Sequence, residues 1–164
     1  FKYGFFRSAP LILLIYICIS EFHTHFYFWR IFSFNIQFII IYYWILRDPS
    51  ILGYGFIFLC GLINDVVLSL PLGVSSLSYL FVSLVAAYVR NATVRSTLFT
   101  DWFTSIIAII GGNLITYALI ENFTELKMEY TTVFYNSMFT FILYPLFWAL
   151  FELYKRVIAL RTYD

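Results

Sequence analysis

One carboxylate stands well inside an apolar stretch: Asp65, which follows Asn64 in the run Gly61-Leu62-Ile63-Asn64-Asp65. Two kinds of chemistry suit an acid there. It can relay a proton or meet a ligand, or it can accept hydrogen bonds where a helix ends. A charge at mid-membrane costs at least about 2.5–3.5 kcal/mol, and less toward the interface, so either use has to supply partners. Gly61 precedes Asp65 by one turn on the same helical face, where it lets a neighbouring helix come close. The turn Pro71-Leu72-Gly73 follows. The amides that open the next helix are donors for a carboxylate, which also gains from the helix dipole. Helix-end hydrogen bonding is therefore the expected role.

Other chemistry-bearing residues are sparse. Asn113 and Asn136 lie in later apolar stretches, where their amides can bond across helices. His23 and His25 form a His-x-His pair without acids or cysteines at metal-ligand spacing, which falls short of a metal site. Cys18 and Cys60 sit in apolar stretches and are expected to be buried thiols. Zincin, nucleophile-elbow, phosphate-loop and dinucleotide patterns are missing from the sequence. Intramembrane proteolysis by paired aspartates lacks its second acid, because Asp101 is expected at a helix start on the cytoplasmic side. Asn91-Ala92-Thr93 and Asn122-Phe123-Thr124 match the glycosylation pattern and are taken as chance matches. No catalytic residue, cofactor or metal is expected.

The elements that must position these residues follow from composition. Of 164 residues, 62% are apolar and only 12% charged, against about 45–50% and about 25% in soluble domains. A chain this short cannot hide the excess in a larger core, so lipid is the expected solvent. Continuous apolar runs, rather than alternation, point to helices and not to a barrel. Six segments emerge, at about 8–25, 31–46, 51–70, 74–89, 102–120 and 132–154, in a single polytopic domain spanning 1–164. Lys2 and Arg7 before Leu11–Ile19 resemble a signal peptide, but no small-x-small site follows, and the segment is read as a retained helix. Pro145 is expected to kink the sixth helix or to free one of its carbonyls.

Orientation follows from the basic residues. One side collects Lys2, Arg7, Arg47, Arg90, Arg95, Lys155, Arg156 and Arg161; the other keeps Arg30 and Lys127. Both termini are then expected in the cytoplasm. Trp29, Trp44 and Trp102 fall near helix ends, where headgroup depth suits their rings. Small residues mark packing faces: Ser76, Ser83 and Ala87 on the fourth helix, and Ser105, Ala108 and Gly112 on the fifth. The outer loop 121–130 carries Glu121, Glu125 and Glu129 against Lys127, and a net charge of +1 offers no footprint for nucleic acid.

The ordered set Tyr43-Trp44-Ile45-Leu46-Arg47-Asp48-Pro49, Gly55-Phe56, Gly61-Leu62-Ile63-Asn64-Asp65 and Pro71-Leu72-Gly73 resembles the central signature of the MreD family, the rod shape-determining membrane proteins of bacteria. Ala86-Ala87-Tyr88, Val133-Phe134-Tyr135-Asn136 and Tyr144-Pro145 are similar as well, so the likeness covers about residues 30–155. Asn64 departs from the apolar residue common in the family, and the first outer loop is unusually aromatic and histidine-rich. The resemblance implies a non-enzymatic subunit of the lateral peptidoglycan machinery in the cytoplasmic membrane. It implies association with MreC, MreB, RodA and a class B penicillin-binding protein. It also implies an all-helical fold similar to the substrate-binding subunits of energy-coupling-factor transporters.

Without large loops, partner recognition is expected through helix faces, against the single transmembrane helix of an MreC-like protein. Gly61, Asn64, Asp65, Pro71, Gly73, Asn113, Asn136 and Pro145 are the structural or partner-contact candidates. Arg90, Arg95, Lys155 and Arg156 are the candidate cytoplasmic contacts to MreB or anionic lipid. Two rivals stay open. A vitamin-type carrier would need a polar outer pocket built from Asp65, Asn64, Asn113 and Glu121, and an ion path would run through Asp65 and Asn113.

Overall fold

The computed structural model describes residues 2–19, 35–93, 97–124 and 130–161, with only the backbone described for 2–8 and 158–161. These form six helices: α1 (Lys2–Ile19), α2 (Ile36–Arg47), α3 (Tyr54–Val67), α4 (Val74–Ala92), α5 (Leu98–Phe123) and α6 (Tyr130–Arg161). The described residues contain no strand. The expected segments reappear in order with shifted ends. The third is trimmed to Tyr54–Val67, while the fifth and sixth lengthen in both directions. Glu21, His23, His25, Trp29 and Arg30 lie outside the described residues, as do Arg95, Glu125, Lys127 and Glu129.

The sequence of α2 dictates its place. Phe38 to Leu46 is an unbroken run without a polar face, and all nine residues are buried. A helix that is apolar all round has to be surrounded. Packing runs from α1 to α3, α4, α5 and α6 in succession, and α2 touches α1, α4, α5 and α6. Five helices thus form an arc around a central one. Trp44 belongs to this core and not to the interface expected for it, being only 3% exposed.

Buried polar residues accompany a broad exposed apolar surface. Asp65, Asp101, Asn64, Asn113, Ser76, Ser83, Ser105 and Thr140 are buried, while Tyr16, Val66, Leu84, Ile107 and Leu153 are each at least 60% exposed. Soluble folds rarely leave such extensive apolar surface uncovered. Two stretches, Leu98–Phe123 and Tyr130–Val157, are long and apolar enough to cross a membrane; Ala9–Ile19, Ile36–Arg47 and Tyr54–Val67 are shorter apolar helices. The small residues expected to mark packing faces do so. A Cβ on Gly61 would lie 2.6 Å from the Ser76 amide nitrogen, and one on Gly112 would meet Phe38 and Val82. Gly61 thus brings α3 against α4, and Gly112 brings α5 against α2 and α4.

Candidate functional site

Polar chemistry inside the bundle is concentrated in three centres, each joining two or three helices. The first is the α3–α4 hairpin. At the end of α3, the Leu70 amide donates to the Asp65 carbonyl at 2.9 Å and the Ser69 amide to the Val66 carbonyl at 3.3 Å. Ser69 takes φ +54°, the left-handed step that closes a Schellman-type end. Pro71 and Gly73 then turn the chain, and Gly73 enters α4 at φ +104°, a conformation open to glycine and costly for other residues.

Glycine at that position brings no capping side chain, and Asp65 provides it from the preceding helix. Its Oδ2 accepts from the Gly73 amide and its Oδ1 from the Ser75 amide, both at 2.8 Å. The carboxylate is completely buried. It therefore satisfies two of the orphan donors at a helix N-terminus, where the dipole favours negative charge. Beside it the Asn64 amide donates to Ser75 Oγ at 2.9 Å, and Ser76 Oγ donates to the Phe58 carbonyl at 3.1 Å. Gly61, Asn64, Asp65, Pro71 and Gly73 are brought together here as parts of one turn.

The second centre joins α2, α5 and α6. Asn113 on α5 accepts from the Asn35 side chain at 2.6 Å and donates to Ser137 Oγ at 2.7 Å and Asn136 Oδ1 at 3.3 Å. The Asn35 backbone amide donates to Thr140 Oγ1 at 3.0 Å. Both Asn113 and Asn136 thus bond across helices. Asp65 and Asn113 are not brought together: each is occupied within its own centre.

Sequence reasoning missed the third. Arg47 at the end of α2 reaches Asp101 in the first turn of α5, with Nη2 to Oδ2 at 3.0 Å. Its Nε lies 3.6 Å from Glu152 of α6. Trp148 Nε1 donates to Asp101 at 3.3 Å, and Tyr43 donates to Glu152 at 3.1 Å. The guanidinium also lies 5.6 Å from the centre of the Trp148 ring. Asp101 is fully buried, whereas the side chains of Arg47 and Glu152 keep 19% and 22% exposure. A partly exposed guanidinium between two carboxylates fastens α2, α5 and α6 together. The available signal was Glu152, an acid within the apolar run Trp148-Ala149-Leu150-Phe151-Glu152.

Arg90, expected as an outward basic contact, instead donates to the Ile45 carbonyl at 3.1 Å in the last turn of α2. Arg156 is exposed and Lys155 half-buried. Pro145 stays within a continuous α6. It frees the carbonyl four residues before it, that of Phe141, and Trp102 takes that carbonyl through its indole N–H at 2.9 Å. The two rings stack at 5.1 Å. Trp102 therefore staples α5 to α6. Cys18 and Cys60 are buried free thiols. Among the described residues no three His, Cys, Asp or Glu side chains gather as a metal-binding group.

In the first two centres acids, amides and hydroxyls are used on one another and on helix ends; in the third, Arg47 Nε and Asp101 Oδ1 are buried without a hydrogen-bond partner. The three centres fasten helices and leave no row of unpaired polar groups lining a cavity among the residues described. No protein-family model, curated protein or solved structure matches the chain.

Proposed function

We propose that the chain is a non-catalytic scaffold of the bacterial wall-elongation machinery, crossing the cytoplasmic membrane six times with both termini on the arginine-rich side. It binds the transmembrane helix of an MreC-type bitopic protein and supports lateral peptidoglycan synthesis in company with MreB, RodA and a class B penicillin-binding protein. The observation that carries this reading concerns the residues behind the MreD resemblance. Gly61, Asn64, Asp65, Pro71 and Gly73 make a single buried hairpin whose hydrogen bonds are internal. A motif of that kind maintains a shape and offers nothing to a substrate.

Two further observations support the topology. Exposed apolar side chains occur on every helix with described side chains except the central α2, as expected of a bundle solvated by lipid. Arg47 meets Asp101 and Glu152, Arg90 meets the last turn of α2, and Lys155 and Arg156 lie one turn beyond Glu152 on α6, in keeping with the positive-inside bias. The carrier reading is weaker, because Asn64, Asp65 and Asn113 are engaged in helix-to-helix bonds rather than facing an outer pocket.

Detergent co-purification with an MreC-like partner, followed by crosslinking scans along each helix, tests the proposal. The scaffold reading predicts a stable complex with crosslinks periodic along one or two helix faces. Failure to co-purify, together with a small polar ligand retained through purification, would replace it with the carrier reading.

A further inference from the structure

Along α6 a residue with a hydrogen-bonding side chain recurs every four positions: Asn136, Thr140, Tyr144, Trp148 and Glu152. That spacing sets them one above another on a single face. Four of the five bond across to α2 or α5. Asn136 accepts from Asn113, Thr140 accepts from the Asn35 amide at the start of α2, Trp148 donates to Asp101, and Glu152 accepts from Tyr43. Tyr144, in the middle, is fully buried, yet its hydroxyl has no hydrogen-bond partner. Its ring stands edge-on to that of Tyr42 at 5.8 Å. The Tyr42 hydroxyl in turn donates to Thr104, whose Oγ1 lies 3.2 Å from the Asp101 carbonyl. Tyr144 is therefore packed beside the first turns of α5, where Asp101 Oδ1 is also buried and without a partner.

Leaving either group unserved in an apolar interior is costly, and no direct bond joins them. Whatever links them has to be neutral. A cation would meet the Arg47 guanidinium, 3.0 Å from Asp101 Oδ2, and an anion would meet the Asp101 carboxylate. It has to be small, because Asp101 and Tyr144 are both closed off from solvent. It also has to take one hydrogen bond and give another, because the phenol can donate and the carboxylate oxygen can only accept. Water meets all three conditions and finds two fixed partners here. We propose that a single buried water joins Tyr144 to Asp101, accepting from the Tyr144 hydroxyl and donating to Asp101 Oδ1. The bridge ties the middle of α6 to the start of α5. It rests on the packing of α2, α5 and α6 and not on the identity of any protein partner.

Thermal unfolding of the full chain in a mild detergent tests the bridge through the sign of one effect. Tyr144→Phe keeps the ring and removes the hydroxyl. With the bridge in place, the variant should melt about 2–6 °C below the wild type. A hydroxyl without a partner predicts the opposite, a melting temperature unchanged or raised, since its removal relieves a buried unserved group. In the Arg47→Met, Asp101→Leu background, which takes away the other end of the bridge, Tyr144→Phe should no longer lower the melting temperature. X-ray radiolysis of the wild-type chain in nanodiscs gives a second reading that does not depend on any variant folding. Hydroxyl radicals form where water is bound and oxidise the rings beside it. Tyr144 should therefore be oxidised faster than Tyr79 of α4, which is buried as well. An unchanged or raised melting temperature in Tyr144→Phe overturns the proposal, as does an equal lowering in both backgrounds. Tyr144 oxidised no faster than Tyr79 also overturns it, and with the coupling present would replace the water by a direct bond between Tyr144 and Asp101.

Discussion

Replacing Asp65 separates structural from functional use of the one acid that stands deep in an apolar stretch. Its two oxygens each hold a backbone amide at 2.8 Å, and the side chain is fully buried. A charge-assisted hydrogen bond contributes about 1.5–3 kcal/mol. Asp65→Asn keeps one acceptor oxygen, turns an NH2 toward the other amide, and removes the charge that favours the α4 N-terminus. The loss is about 2–3 kcal/mol. Asp65→Ala strands both amides and should cost about 3–5 kcal/mol. Each kcal/mol moves the melting temperature of a chain this size by about 2–4 °C, so Asp65→Asn should melt about 4–12 °C below the wild type. The assay is thermal unfolding in a mild detergent, followed by tryptophan fluorescence. A variant that melts within about 1 °C of the wild type but no longer binds its partner would refute the capping argument and give the carboxylate a functional role.

Three further substitutions probe the other contacts. Gly61→Ala places a methyl group against the Ser76 backbone and should destabilise by about 1–3 kcal/mol; Ser76→Ala should not rescue it, because the clash is with main-chain atoms, and detergent melting measures both. Asp101→Ala leaves Arg47 partly buried without its nearest carboxylate and should cost about 3–5 kcal/mol. The double change Asp101→Leu with Arg47→Met should melt higher than either single change. Trp102→Phe orphans the Phe141 carbonyl and should cost about 1–2 kcal/mol, and the cost should shrink in a Pro145→Ala background, where an amide at 145 reaches that carbonyl. Equal costs in both backgrounds would contradict the staple.

Much of the fold was legible because its helices coincide with the apolar runs of the sequence. The Pro71 and Gly73 turn could be assigned a partner in advance, since a buried acid and a row of orphan amides eight residues apart each require what the other supplies. Arg47, Asp101 and Glu152 could not be assembled the same way. Each stands near the end of its own apolar segment, where a charge reads as solvated, and a pattern along one chain does not reveal that three ends converge. Trp44 misled for a related reason: closeness to a helix end was equated with closeness to the interface. For Trp44 a corrective was present in the unbroken run Phe38–Leu46, which demands surroundings on every side. The bond that Trp102 makes had its own signal in Pro145, whose missing amide frees a carbonyl for a donor on a neighbouring helix.

Side-specific labelling of single cysteines bears most directly on the central claim, that these helices cross a bilayer in alternation. In a Cys18→Ala, Cys60→Ala background, a membrane-impermeant maleimide is applied to intact spheroplasts and then to permeabilised ones. Leu72→Cys and Thr124→Cys, in the turns after α3 and α5, should react from outside. Ser50→Cys and Thr97→Cys, in the turns before α3 and α5, should react only once the membrane is opened. Equal reaction of Ser50→Cys and Leu72→Cys from the same side would contradict the account.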